Sequence, residues 1–577
     1  MKTNSFVWKI GGEAGYGIMT AGIAFARCCM RAGLYVFANN EYPSLIRGGH
    51  NTYDVRVSEK PAKAPLTKID LLVALNQDTI DRHKENLNPG AGIVYDKAEM
   101  DMSINDVKLY DVPLKAIAKE CGNEKLMQNT VAMGASFALL KLPFSHFEDV
   151  IKDWFKGKKE DIIQNNIKAA KKGYDHIIEN YEPNEFGCKL EPKQGPKKLL
   201  ICGSEALSVG AIRAGCKLLF QYPMTPSSGV IHYMMNVSRQ KDIVVVQPED
   251  EIAAMNMTIG ANFAGVRAMT ATSGGGFALM AEGLGLAGLS ETPVVINLAM
   301  RPGPATGLPT HSGQADLRFA MHAAQDEFPR MIMAPGDAEE CFYCAMEAFN
   351  YAEKYQIPVF ILTDKYLAES YESIGFPDQD KVKVDKGKLV LELPELGEKG
   401  LFKRYEFTED GISPRSIPGI KNGLFHSAGD EHDERGFVEE DTENRTRMHA
   451  KRLKKFETLK KEVPNPTIYG DEDAEITLIS WGSNKGNAME AMEMLKKEGT
   501  NCKLMHIKYV WPFPTQSVKE TLSKSKKAVL IENNATAQLG SLIKEHCFID
   551  VEKKVLKWDG RPFHADELHE KLKKAIR

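Results

Sequence analysis

Apolar positions in this chain fall into short, dense runs. Between residues 199 and 363 such runs occupy 199–202, 218–222, 243–246, 267–271, 293–299, 330–333 and 358–363, and stretches of helical period separate them. Runs this short and this rich in valine, isoleucine and leucine predict strands buried on both faces, hence a parallel sheet covered by helices. The same rhythm opens the chain, with a strand ending near Ile10, the glycine turn Gly11-Gly12-Glu13-Ala14-Gly15-Tyr16-Gly17, a helix over 18–32 and a second strand over 33–38. It returns at 475–480 and, after the turn Trp481-Gly482-Ser483-Asn484, continues through 529–534. The polar stretch 190–197, with two prolines and a glycine, reads as a linker. From 387 to 474 the rhythm is lost in a charged segment that reads as a solvated excursion ending in a charged helix; its His432 and neighbouring carboxylates suggest a metal site less well than they suggest a wet surface. The pattern predicts an α/β protein with limits at 1–189, 198–386, 387–474 and 475–577.

Composition narrows the function classes. The 577 residues suffice for roughly three or four domains of about 150 residues each, and 43% apolar residues supply several cores. A formal net charge of −4 gives no basic field for nucleic acid and no polybasic anchor for a membrane. The few apolar residues before the first glycine turn are too short for a signal sequence or a span, so the cytoplasm is the expected location. Ten cysteines without regular spacing fit reduced thiols. The pair Cys341 and Cys344 falls in the first turns of an expected helix with no second pair to complete a metal site, so this chain is expected to carry no metal.

The chemistry gathers where the expected strands end. Gln221-Tyr222-Pro223-Met224-Thr225-Pro226-Ser227-Ser228 closes one strand in a turn stiffened by two prolines, which holds the Thr225 hydroxyl in one place. Gln247-Pro248-Glu249-Asp250-Glu251, Thr272-Ser273-Gly274-Gly275-Gly276 and Arg301-Pro302-Gly303-Pro304-Ala305-Thr306-Gly307-Leu308-Pro309-Thr310 follow the next strands, so all four converge on one rim of the sheet. The acidic run Glu249-Asp250-Glu251 could equally complement a helix dipole. Near the N-terminus, Gly12, Gly15 and Gly17 superficially resemble a dinucleotide fingerprint, but Ala38-Asn39-Asn40 stand where its acidic residue belongs. A phosphate-bearing ligand at the following helix remains open.

These motifs, in this order, resemble the thiamine-dependent 2-oxoacid:ferredoxin oxidoreductases, in the fused gamma-alpha form of their alpha subunit. Met224 stands where isoleucine is more usual, and the likeness spans nearly the whole chain. It implies a gamma-type α/β domain, a pyrimidine-side thiamine domain with a parallel sheet, and a transketolase C-terminal-like α/β domain. It implies Glu251 as the catalytic glutamate on N1′ of the cofactor's aminopyrimidine, with Pro223, Ser273 and Gly274 at the cofactor. Thr225, Arg301, Tyr222 and Thr306 are implied on the substrate; a guanidinium fork suits a carboxylate. Glu41-Tyr42-Pro43-Ser44-Leu45-Ile46-Arg47-Gly48-Gly49-His50 is similar to a gamma-domain signature on the coenzyme A side, where Gly12, Gly15, Gly17 and Arg47 would lie; Arg47 as a merely structural arginine stays open. The family's Gly-Asp-Gly diphosphate motif is missing, so the chain reads as half of a site. The resemblance therefore implies thiamine diphosphate shared with a beta subunit that carries Mg2+ and a [4Fe-4S] cluster. Ferredoxin, a 2-oxoacid and coenzyme A are the other expected partners, in a dimer of alpha-beta heterodimers. The expected reaction converts 2-oxoglutarate first, pyruvate or a branched 2-oxoacid second, to acyl-CoA and carbon dioxide. Where relatives often carry a basic residue after Pro309-Thr310, this chain reads His311-Ser312-Gly313-Gln314, which bears on substrate choice. The rival readings are a non-catalytic nucleotide-binding assembly subunit and a complete transketolase-type enzyme acting alone.

Overall fold

The computed structural model describes residues 1–45, 48–182, 184–394 and 400–577. They form two compact units, the first made of residues 1–202, 369–376 and 564–568 and the second of 203–368, 377–563 and 569–577.

The first unit is built on an eight-stranded mixed sheet. Phe6–Glu13 lies within it, antiparallel to His50–Ser58 and parallel to Ile69–Ala74. The helix Ile18–Arg31 follows after a short turn and buries Ile18, Ala21, Phe25 and Cys29 against the sheet. Trp8 and Phe137 stack on either side of Phe25, with ring centroids 4.2 and 4.8 Å away. Burial of three aromatics in one stack is a large local contribution to the core.

Two expectations change here. The first strand runs through Gly11 and Gly12 to Glu13, so the turn is only residues 14–17. Gly12 is buried, and a β-carbon on it would meet Leu75 at 3.1 Å and Ile18 at 3.3 Å, so it packs the sheet rather than facing a ligand. Leu199–Cys202, expected in the sheet of the second unit, instead pairs antiparallel with Tyr371–Ile374 in the first. Two hydrogen bonds hold it there: Lys193 N donates to Ala32 O at 2.7 Å and the Lys198 side chain donates from Nζ to Gly33 O at 2.9 Å, fastening the polar stretch before it to the end of the first helix.

The second unit holds a seven-stranded sheet in the order Val244–Val246, Leu218–Phe220, Ala268–Thr272, Val294–Met300, Pro358–Asp364, Met331–Met333, Tyr509–Trp511. The first six are parallel and the last is antiparallel. Every residue of Ala268–Thr272, Val294–Met300 and Pro358–Asp364 is buried, which accounts for their mostly apolar make-up. A five-stranded sheet built from Thr467–Gly470, Lys503–His506, Ile476–Ser480, Lys527–Glu532 and Lys553–Leu556 completes the unit. Cys341 and Cys344 are buried in the helix Ala338–Tyr355, and burial pushes the Cys344 thiol well up.

The charged segment is solvated only in part. On its helix Thr442–Lys460, Lys451, Arg452 and Lys455 are buried. Lys451 and Lys455 both pair with buried Glu291, at 2.7 Å for Lys451. Against burial, which raises it, the two ammonium groups hold the Glu291 carboxyl well below the usual carboxylate range. Arg267 and Arg415 likewise share buried Glu353, at 2.6 and 3.2 Å. The buried His432 ring is 3.1 Å from the Asp430 carbonyl and lies 4.0 Å from the Tyr405 ring, so it is part of this packing rather than of a metal cluster. Lys451 and Lys455 meet Glu291 in the interior and buried Arg452 meets Glu431, while Lys454 and Arg435 stay exposed.

Candidate active site

Four neighbouring parallel strands of the second unit end on the same edge of its sheet, and the four motif loops leave from there. The turn after Leu218–Phe220 is held by Gln221, whose Nε2 donates to Ser227 O at 2.9 Å, while Ser227 Oγ donates to Met224 O at 2.7 Å. Tyr222 and Pro223 are exposed, and Thr225 is half-buried with no hydrogen bond to its hydroxyl among the described residues.

Glu251 begins the helix Glu251–Phe263. Asp250 caps that helix, its carboxylate accepting from Ala253 N at 2.8 Å. Glu251 itself is 3% exposed, and its Oε1 is buried without a hydrogen-bond partner. An unpaired buried carboxyl oxygen carries a substantial penalty unless something completes it. The glycine run explains how the carboxyl fits: a β-carbon at Gly276 would collide with Glu251 Oε1 and Thr272 Oγ1. Ser273 Oγ, on the same run, is also buried and unpaired.

Arg301 follows Val294–Met300 and donates from Nη1 to Thr225 O at 2.7 Å, which ties the fourth loop to the first. Burial lowers the pKa of its guanidinium, opposed by the Asp316 carboxylate. Beyond it the loop folds back through a Leu308 N to Pro302 O bond of 2.9 Å. Gly307 there has φ +54° and no room for a β-carbon against Pro302 O. Thr306 is exposed at its tip. A β-carbon at Gly275 would lie 4.0 Å from both Met224 Cε and Ala305 O, so the first, third and fourth loops meet around that glycine.

Thus the structure gathers Thr225, Glu251, Ser273, Gly274 and Arg301, with Tyr222, Pro223 and Thr306 on the open side. In the first unit, Gly15 and Gly17 adopt φ +93° and +69°, and Asn129 Nδ2 closes on the turn by donating to Tyr16 O at 2.7 Å and Gly17 O at 3.1 Å. Arg47 lies outside the described residues.

One residue stands elsewhere than sequence reasoning expected, and another was missed. Gln314, expected to bear on substrate choice, is fully buried. It receives a bond from Asn484 Nδ2 at 2.7 Å and donates to Trp481 O at 3.1 Å, anchoring the end of the loop. Asp316, two residues on, turns its Oδ2 inward without a partner, and the position of a β-carbon on Gly274 is 2.6 Å from that oxygen. Burial pushes the Asp316 carboxyl up to about 6, against the pull of Arg301. The one available signal was the carboxylate directly before Leu317–His322.

Two expected outcomes follow for this rim. Gly276→Ala should displace the Glu251 carboxyl and lower turnover by about tenfold or more, the size of a small misplacement of a reacting group, while the melting temperature read by calorimetry moves little. Asp250→Ala removes the cap and should cost about 1 kcal/mol in denaturant unfolding of this unit.

The orphaned Glu251 Oε1 and Ser273 Oγ, beside a cradle that a single β-carbon would fill, fit the aminopyrimidine side of thiamine diphosphate. Comparison with known proteins agrees. The family described as pyruvate flavodoxin/ferredoxin oxidoreductase, thiamine diphosphate-binding, matches residues 209–451. Pyruvate ferredoxin/flavodoxin oxidoreductase matches 7–176, and pyruvate:ferredoxin oxidoreductase core domain II matches 474–570. The fold and rim therefore define an oxidoreductase chain with a thiamine diphosphate-binding domain. The alpha subunit of 2-oxoacid:ferredoxin oxidoreductase from a Sulfolobus species is 36% identical, over 99% of this chain and 97% of its own. The corresponding subunit from Saccharolobus solfataricus is 34% identical, over 99% and 97%. The 2-oxoglutarate:ferredoxin oxidoreductase of Magnetococcus marinus, solved with 2-oxoglutarate, coenzyme A and succinyl-CoA bound, superposes with a TM-score of 0.91 at 32% identity over 100% of both chains. This chain belongs to the 2-oxoacid:ferredoxin oxidoreductase family, as an alpha subunit.

Proposed function

We propose that this subunit contributes the substrate side and the proton-holding glutamate of a site that converts 2-oxoglutarate and coenzyme A to succinyl-CoA and carbon dioxide, with electrons leaving to ferredoxin. The observation that carries the proposal is the buried, partnerless Oε1 of Glu251 over Gly276, on the same rim as Arg301 and Thr225. The ligands bound in the Magnetococcus marinus enzyme favour 2-oxoglutarate over pyruvate or a branched 2-oxoacid.

Bound thiamine diphosphate supplies an electron sink for the charge left when the carboxylate departs, which no side chain provides well. Glu251 holds a proton at Oε1 on the pyrimidine side, and its burial keeps water from competing for it. Ser273 and Gly274 let the cofactor approach the backbone, with Pro223 on the opposite turn. Arg301, with Nη1 fixed to Thr225 O, presents its remaining N–H groups to the substrate carboxylate. The Thr225 hydroxyl donates to the 2-oxo group, and Tyr222 and Thr306 border the substrate from the exposed side.

A beta subunit completes the site with the diphosphate pocket, Mg2+ and a [4Fe-4S] cluster. Ile252, Leu279 and Leu308 support its docking here, since they stay 48%, 50% and 44% exposed on the unit that carries the rim. The assembly is a dimer of alpha-beta heterodimers in the cytoplasm, and no described helix is long and apolar enough to cross a membrane. The domain limits 1–189, 198–386, 387–474 and 475–577 are part of the same proposal, with Gly15, Gly17 and Arg47 on the coenzyme A side of the first.

Coenzyme A-dependent viologen reduction by the complex purified through this chain tests the substrate. 2-Oxoglutarate should be oxidised fastest when compared with pyruvate and 2-oxoisovalerate. A clear preference for either of the others would overturn the choice.

A further inference from the structure

Arg330 stands directly before Met331–Met333, a strand parallel to Pro358–Asp364, so it lies at the amino ends of the strands, on the sheet edge opposite the rim. It is 4% exposed and forms no ion pair among the described residues. Its Nη1 donates to Ala320 O at 3.2 Å and to Ala323 O at 2.7 Å, closing the end of the short helix Leu317–His322. No hydrogen bond among the described residues occupies its Nε or Nη2. Burial lowers its pKa to about 10, with no carboxylate acting on it, so the guanidinium keeps its charge at neutral pH. Arg267, Arg415 and Arg452, buried in the same unit, each meet a carboxylate. A buried cation without a counter-charge is costly unless something supplies one.

Arg330 also lines a cavity of about 420 Å³, a volume in the range of sites for small organic ligands. The guanidinium carbon is 4.3 Å from the centre of the Phe328 ring, which is a wall of that cavity. Met321, Leu453, Phe456 and Trp511 form the other apolar walls, and the Phe456 and Trp511 rings are 5.2 Å apart. The carboxylates at its border have their own counter-groups. Asp326 pairs with Arg445 at 2.9 Å, Glu457 pairs with Lys460 at 2.8 Å, and Glu327 Oε2 is 3.8 Å from His449 Nε2. The charge left unmatched at this cavity is therefore that of Arg330.

We propose that the cavity binds a small organic carboxylate with an aromatic or branched apolar body, its carboxylate paired with Arg330 and its body packed among Phe328, Phe456 and Trp511. The free edge of one guanidinium matches a carboxylate in two parallel hydrogen bonds. A phosphate dianion calls for further cations, and Arg330 is the one lysine or arginine on this lining. The three aromatic walls add affinity in proportion to the apolar area they cover, which a small hydrophilic acid does not offer. The site stands apart from the rim, and the inference does not rest on the chemistry assigned there.

Calorimetric titration of the assembled complex with 3-phenylpropanoate tests the site, with 3-phenylpropanamide as the uncharged counterpart and inorganic phosphate as the bare anion. The acid should bind and raise the melting temperature, the amide should bind about tenfold or more weakly, and phosphate should leave the affinity for the acid unchanged. Arg330→Lys keeps a charge for the helix-end carbonyls but loses the fork, and should weaken the acid by about tenfold or more. Leu453→Trp leaves Arg330 and the helix end in place and fills the cavity from its half-buried wall, so it should abolish binding. Arg301→Lys should not change the affinity, which separates this cavity from the rim. No binding of 3-phenylpropanoate up to about 10 mM, equal affinity for acid and amide, competition by phosphate, or affinity kept in both Arg330→Lys and Leu453→Trp would overturn the proposal. The first of these is also the result if a side chain of another subunit already fills the cavity.

Discussion

Glu251→Gln in the assembled complex is expected to lower 2-oxoacid turnover by about 10²- to 10⁴-fold, the range for loss of a positioned proton-transfer group. Glutamine keeps the volume over Gly276 and keeps one oxygen, so the packing that depends on the missing β-carbon is preserved. What it cannot do is hold a proton at the atom that now points, unpaired, into the rim. The fold should survive, since Asp250 still caps the helix at Ala253 N. Stopped-flow reduction of the acceptor, with thiamine content measured on the same sample, checks the prediction. Turnover within a few-fold of the wild type, at equal thiamine content, would remove Glu251 from the chemistry.

Arg301→Lys should raise KM for the 2-oxoacid by about tenfold to a hundredfold, the loss of one charge-assisted hydrogen bond at about 1.5–3 kcal/mol. The guanidinium spends Nη1 on Thr225 O and still has donors for a carboxylate. A lysine ammonium keeps the charge but has no planar fork, so it cannot hold the turn and present two parallel donors to one ligand. KM for coenzyme A should change little. Parallel losses for both substrates would point to a damaged turn rather than a lost contact.

The rim was legible because each of its four loops is a local event: an apolar strand stops, and proline, glycine or an acidic cap takes over within a few residues. Parallel strands then bring those stops to one edge without further information. What pattern could not supply was partnership. Leu199–Cys202 is plainly a strand, but periodicity says nothing about which sheet will take it, and the polar stretch before it decided that. Lys451 and Lys455 read as surface because a buried cation looks the same in sequence as a wet one, and Glu291, more than 150 residues earlier, pairs with both. Gly12 read as part of a turn because glycine marks both a left-handed turn and close packing in a strand, and here it serves the second. Asp316 escaped for the same reason as Glu291: its neighbour Gly274 comes from another loop.

The central claim is that a thiamine-dependent oxidation runs through Glu251 of this chain. Its most direct test is to strip thiamine diphosphate from wild-type and Glu251→Gln complexes and measure 2-oxoacid-driven viologen reduction before and after the cofactor is returned with Mg2+. Reduction should vanish from the stripped wild type and come back on addition, while the variant, reloaded to the same thiamine content, stays at least a hundredfold slower. Reduction that persists without thiamine, or a reloaded variant as fast as the wild type, would contradict the account.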